Sequence, residues 1–122
     1  MTQLDYYKDV HGRKPAREWI EDVTNASIKS SIRSRLDTLI EYDIDSLINR
    51  DIVEIIKCKP KIKGLYELKH KRPGGWRLAF YHDKDIDKYI LLCGFRKQKD
   101  SQKRDIALAC KLAMDYLRNK GE

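Results

Sequence analysis

Residues 64 to 81 read GLYELKHKRPGGWRLAFY and plant Lys69, Lys71, Arg72 and Arg77 beside residues that belong in a core. A second basic stretch, RKQKDSQKRD, adds Arg96, Lys97, Lys99, Lys103 and Arg104. These side chains suit one kind of chemistry well. The planar fork of Arg matches a phosphate and can neutralise charge on phosphoryl oxygens. Lys moves a proton near neutral pH only when its pKa is lowered, and crowding of Lys69 by Arg77, Arg96 and Lys97 would lower it. The phenol of Tyr81 can donate a proton or stack on a base. Phosphodiester cleavage in RNA needs no more, because the substrate brings its own nucleophile, the ribose 2′-hydroxyl. A non-catalytic RNA-binding face would carry the same residues.

Other chemistries lack their signatures. There is no Gly-rich phosphate loop, no zinc-ligand spacing and no Ser-His-Asp pattern, so neither a metal nor a cofactor is expected. His11 falls in a turn. His70 and His82 fall on an aliphatic face or at strand ends; structural roles fit them best, though either can serve as acid or base. Glu67, Asp83, Asp85 and Asp87 read as solvated charge. Cys58, Cys93 and Cys110 are odd in number and widely spaced, which predicts reduced, structural thiols.

The elements that must position these residues follow from periodicity. LDYYKD predicts a short strand, HGRKP a turn and AREWIEDV a helix opened by Pro15. A longer helix follows over about 27–42, capped by Asn25, with Ile28, Ile32, Leu36, Leu39 and Ile40 on one stripe. Residues 43–57 predict one or two short helices, and CKPKIKG an extended linker. Three strands are expected over about 64–71, 76–82 and 88–95. A last helix, capped by Asp100 or Ser101, reaches about residue 119. Alternation places Tyr66, Leu68, His70, Trp76, Leu78 and Phe80 on one face of the sheet. Lys69, Arg77 and Tyr81 then share the other face, exposed. Gly94 marks a bulge or bend.

The chain has 122 residues and reads as one domain spanning 1–122. Its net charge is +7, and the excess is concentrated: residues 57–104 hold 15 Lys and Arg against 5 Asp and Glu. Such a bias attracts polyanions, nucleic acid above all. No run approaches the ~18 apolar residues of a membrane span. The start, MTQLDYYKDV, lacks the apolar block of a signal peptide. The expected location is the cytoplasm, with no membrane partner.

LYELKHKRPGGWRLAFY followed by YILLCGFRKQKDSQKRDIALA resembles the HigB-like, phage-related branch of the RelE/ParE toxin superfamily. YYKDVHGRKPAREWI resembles the usual opening of that branch. The similarity is strongest over residues 65–109 and weakest over 43–61. It implies an α+β, RelE-like fold: a small antiparallel sheet with the N-terminal helices packed on one face, a C-terminal helix, and a cationic concave surface. It implies the toxin of a type II toxin–antitoxin system, a metal-independent mRNA endoribonuclease acting at the ribosome. The implied partner is a helix-turn-helix antitoxin of the HigA-like kind. The catalytic positions fall on Lys69, Arg77 and Arg96. Lys71, Arg72, Tyr81, Lys97, Lys99 and Arg104 are left as the RNA-binding complement. A further family lysine falls on Glu67, and the family's late tyrosine has no match. The same scaffold admits two alternatives: a ParE-like inhibitor of DNA gyrase, and an inactive nucleic-acid-binding protein.

Overall fold

The computed structural model describes residues 2–71, 75–97 and 102–121. Arg72, Lys99 and the two cap candidates, Asp100 and Ser101, lie outside the described residues. The chain runs β1 (Gln3–Tyr6), α1 (Pro15–Asp22), α2 (Ala26–Glu41), α3 (Ile44–Asn49), β2 (Val53–Ile55), β3 (Leu65–His70), β4 (Trp76–Asp83), β5 (Lys88–Arg96) and α4 (Gln102–Lys120). Asn25 Oδ1 accepts from the Ile28 N–H at 3.1 Å and caps α2 as expected. Asp43 caps α3 in the same way.

The strands form one sheet in the order β1-β5-β4-β3-β2. All neighbours are antiparallel except β1, which runs parallel to β5. The fold is α+β, with a mixed sheet. The short strand β2 is the element that periodicity does not predict. Its three residues sit in an isoleucine-rich run that also fits a helix, and only pairing with β3 makes them a strand.

Each face of the sheet buries a core. Leu68, Trp76, Leu78, Phe80 and Leu91 pack beneath α1, α2 and α3, against Ala16, Ile28, Ile32, Leu39 and Leu47. Leu65, Ala79, Ile90 and Leu92 pack beneath α4, against Ala109, Leu112 and Ala113. The face that carries Lys69 and Arg77 is therefore crossed by α4. Trp19 of α1 lies flat on β5, and a Cβ at Gly94 would come within 2.1 Å of its ring. That close approach is why the position needs glycine.

Strand β5 carries an irregularity just before Gly94. Ala79 pairs with Cys93 but Phe80 pairs with Leu91, so Leu92 is an extra residue. Leu92 and Cys93 both enter the α4-side core, and every residue after them has changed face.

Two of the three cysteines are not free thiols. Cys58, in the linker before β3, is disulfide-bonded to Cys110 of α4. The partners are 52 residues apart, and only the packing of α4 on the sheet brings them together. The cysteines therefore give no argument for a reducing compartment. Cys93 is free and buried, and burial pushes its thiol up to about 12. Among the described residues no helix is long and apolar enough to cross a membrane.

Candidate functional site

Lys69 and Arg77 are direct cross-strand partners on β3 and β4, so they share the α4 face. Neither is exposed: Lys69 retains 8% and Arg77 3% of its accessible surface. The expectation of an open cationic face fails here, because the turn at Asp51 and the unforeseen β2 close over Lys69, and Glu67 stands beside Arg77. Carboxylates pair directly with Lys69. Its Nζ donates to Asp51 and lies 3.7 Å from Glu54. Asp51 has φ 61°, a left-handed turn by which the chain leaves α3 for β2. The Lys69 N–H donates to the Ile52 carbonyl at 2.9 Å and ties that turn to β3.

Glu67 is the candidate site residue that periodicity misses. It is not solvated charge but 2% exposed. Its Oε1 lies 3.5 Å from Arg77 Nε. Its Oε2 and the Arg77 Nε–H are both buried without a hydrogen-bond partner among the described residues. Glu54 stands directly opposite on β2. Burial, and then the neighbouring Glu54 carboxylate, push the Glu67 carboxyl up to about 7, against the pull of Arg77 and Lys69. A carboxyl in that range can take and return a proton near neutral pH. Its burial follows from β2 pairing on the edge of β3, which the alternation of LYELKH alone does not show.

Arg96 is not brought to this cluster. Its cross-strand partner is Trp76, which packs on the helical face, while Phe95 is the residue opposite Arg77. The extra residue at Leu92 is the cause. Without it, the even positions of β5 that begin at Ile90 would carry Arg96 to the α4 face. Arg96 is exposed.

Tyr81 is on the α4 face but packs against Tyr116, with ring centroids 5.8 Å apart. It sits four residues from Arg77, ~13 Å along the strand. Lys71 is exposed and lies 3.3 Å from Asp51. Lys97 and Arg104 are exposed. A groove of about 1030 Å³ beside α4 gathers further cations, including Lys57, Lys59, Lys103 and Lys111. His70 stacks on Trp76 on the helical face, and His82 Nε2 sits 3.4 Å from Asp87.

Asp83, also read as solvated, is fully buried. Its carboxylate accepts from Tyr116 Oη at 2.6 Å and from Lys120 Nζ at 2.6 Å. It anchors the end of α4 on β4.

Two solved structures share this fold. A chain of the E. coli RelBE toxin–antitoxin complex matches with a TM-score of 0.56 at 13% identity, covering 81% of this chain and 100% of its own. The isolated E. coli RelE toxin matches with a TM-score of 0.56 at 12% identity, covering 88% of this chain and 97% of its own. The fold is RelE-like. At this identity the likeness concerns the fold alone. No protein-family model and no curated protein sequence matches the chain.

Proposed function

We propose that this chain is the toxin of a type II toxin–antitoxin pair, of the HigB-like branch, and that it cleaves mRNA. The observation that carries this reading is the buried Arg77 guanidinium set beside a carboxyl, Glu67, whose pKa stands at about 7. Glu67 takes the proton of the ribose 2′-hydroxyl, and the 2′-oxygen forms its bond to phosphorus. Arg77 neutralises the phosphoryl oxygens. The bond to the 5′-oxygen breaks, and that oxygen takes a proton from water, its charge offset by the Lys69 ammonium. The products carry a 2′,3′-cyclic phosphate and a 5′-hydroxyl. Arg96, across the sheet, acts as an outlying RNA contact with Lys97 and Arg104.

Both reacting groups are buried, so the reading requires the α4 side of the sheet to open to RNA. The fold shared with a toxin–antitoxin complex supports an antitoxin partner, of the HigA-like helix-turn-helix kind. The reading also carries the ribosome as the place of action and the cytoplasm as the location. The burial of Arg77 and Glu67 equally favours one alternative, an inactive nucleic-acid-binding protein.

Cleavage of mRNA by the purified chain, with and without ribosomes, separates the two. Arg77→Lys is expected to slow cleavage roughly ten- to a thousandfold, since a point charge does not replace a bidentate fork. A 2′-O-methyl group at the cut position is expected to block it. An uncut mRNA would favour the inactive protein. Cutting of the 2′-O-methyl substrate at the ordinary rate would overturn the mechanism.

A further inference from the structure

A recess of about 440 Å³ opens at the end of β3, outside the Glu67–Arg77 pair. It is lined by Arg35 of α2, Arg50 and Asp51 of the turn after α3, and Lys69, His70 and Lys71 of β3 and its extension. Asp51 engages Lys69 and Lys71, and Glu54 lies 3.7 Å from Lys69, whereas Arg35 and Arg50 have no carboxylate within salt-bridge distance among the described residues. Two polar atoms here are buried without a hydrogen-bond partner among the described residues: Arg35 Nε and His70 Nδ1. A buried guanidinium N–H left unpaired is unfavourable, and an anion accepting from it would relieve that cost. Burial pulls the Arg35 guanidinium below its ordinary pKa, and burial followed by Arg35 does the same to His70.

The walls are held in place. The Arg50 guanidinium lies over the Tyr42 ring, 4.9 Å from its centroid. The His70 ring is stacked on Trp76 at 5.8 Å and 10°, and Trp76 Nε1 donates to Ser31 Oγ of α2 at 2.9 Å. Lys69 binds its backbone N–H to Ile52 across the mouth. Cationic walls with an unmet guanidinium donor at Arg35 describe an anion site rather than a stretch of solvated surface.

We propose that this recess binds a backbone phosphate of a single-stranded polynucleotide, with Arg35 and Arg50 as the phosphate forks and His70 as a further donor. Two guanidinium groups fit the tetrahedral oxygens of a phosphate better than an isolated carboxylate. Lys69 lines both this recess and the Glu67–Arg77 cluster, so a strand held here continues toward that cluster. The choice of RNA as the polynucleotide rests on the proposed function; the anion site itself does not.

The test uses the whole chain and a 2′-O-methyl oligoribonucleotide, which binds but offers no nucleophile. Binding is followed by calorimetry and by the His70 ring signals in NMR. The oligonucleotide is expected to shift His70. Arg35→Gln and Arg50→Gln are each expected to weaken binding roughly tenfold, and to lower the dependence of log K on log salt by about one. Arg50 is exposed, so its variant remains informative if Arg35→Gln does not fold. Inorganic phosphate alone is expected to shift His70 and to compete with the oligonucleotide.

Unchanged affinity in Arg50→Gln, or a His70 that neither phosphate nor the oligonucleotide moves, would overturn the site. If phosphate moves His70 and the oligonucleotide does not, the occupant is a free phosphate and the polynucleotide is overturned. Equal binding by polyglutamate would overturn phosphate in favour of an acidic protein. None of these readouts needs cleavage, so an inactive protein with an intact recess is told apart from an active one without it.

Discussion

Two buried carboxylates face α4 from the same sheet, and they are treated in opposite ways. Asp83 accepts from Tyr116, from Lys120 and from the Asp85 N–H. Burial by itself would raise its pKa, but Lys120 and Tyr116 bring it below the ordinary carboxylate value. Glu67 is buried to nearly the same degree, yet one of its oxygens has no partner and its cation stands 3.5 Å away. Its pKa goes up instead. A fully bonded buried charge fastens a structure, and Asp83 fastens the end of α4. An incompletely bonded one lowers stability and is kept where chemistry needs it. The contrast separates the part of this face that holds the fold from the part proposed to act.

The largest effect is expected on removing the incomplete pair altogether. Replacing Glu67 and Arg77 together by Leu should leave stability unchanged or raise it by about 1–4 kcal/mol, as for other buried ion pairs exchanged for apolar residues. Urea unfolding measures this. A marked loss of stability would mean that the pair holds the fold after all.

Asp83→Ala should do the opposite. It strands the Tyr116 hydroxyl and is expected to lower stability by about 1–3 kcal/mol. A variant as stable as the parent would erase the contrast from the other side.

The smallest effect lies in the pH dependence. Glu67 has a folded pKa near 7 against an ordinary 4.5, so the folded chain binds this proton more tightly than the unfolded one. Its contribution is present at low pH and is lost as pH rises through about 7. Asp83, with its pKa lowered, has the opposite sign and loses its contribution as pH falls. Glu67→Gln should abolish a decline of roughly 1–2 kcal/mol between about pH 5 and pH 7. A parent and variant with parallel stability curves over that range would show that Glu67 does not titrate there.

Much of this fold is legible in the sequence because β3 and β4 alternate, β5 is a continuous apolar run and the last helix carries an apolar stripe. Lys69 and Arg77 have the parity that puts them on one face, and the structure pairs them directly. What alternation misses has a common physical origin, in contacts made by residues distant in the chain. Glu67 reads as solvent-facing until β2 pairs beside it. Asp83 reads the same way until Tyr116 and Lys120, more than thirty residues later, reach it. Arg96 is misplaced by a single extra residue at Leu92, and nothing in YILLCGF tells which residue is the extra one. The disulfide joins two cysteines that no local spacing relates.

That disulfide also has a topological consequence. The bond between Cys58 and Cys110 closes a covalent ring through β3, β4, β5 and the first half of α4. Lys69, Arg77 and Arg96 all belong to the ring, while α1, α2, α3 and β2 lie on the tail before it. A protease that nicks the exposed turn between β4 and β5 therefore opens a loop without releasing a fragment. The nicked chain should migrate as one species until a reductant is added, and then part into two.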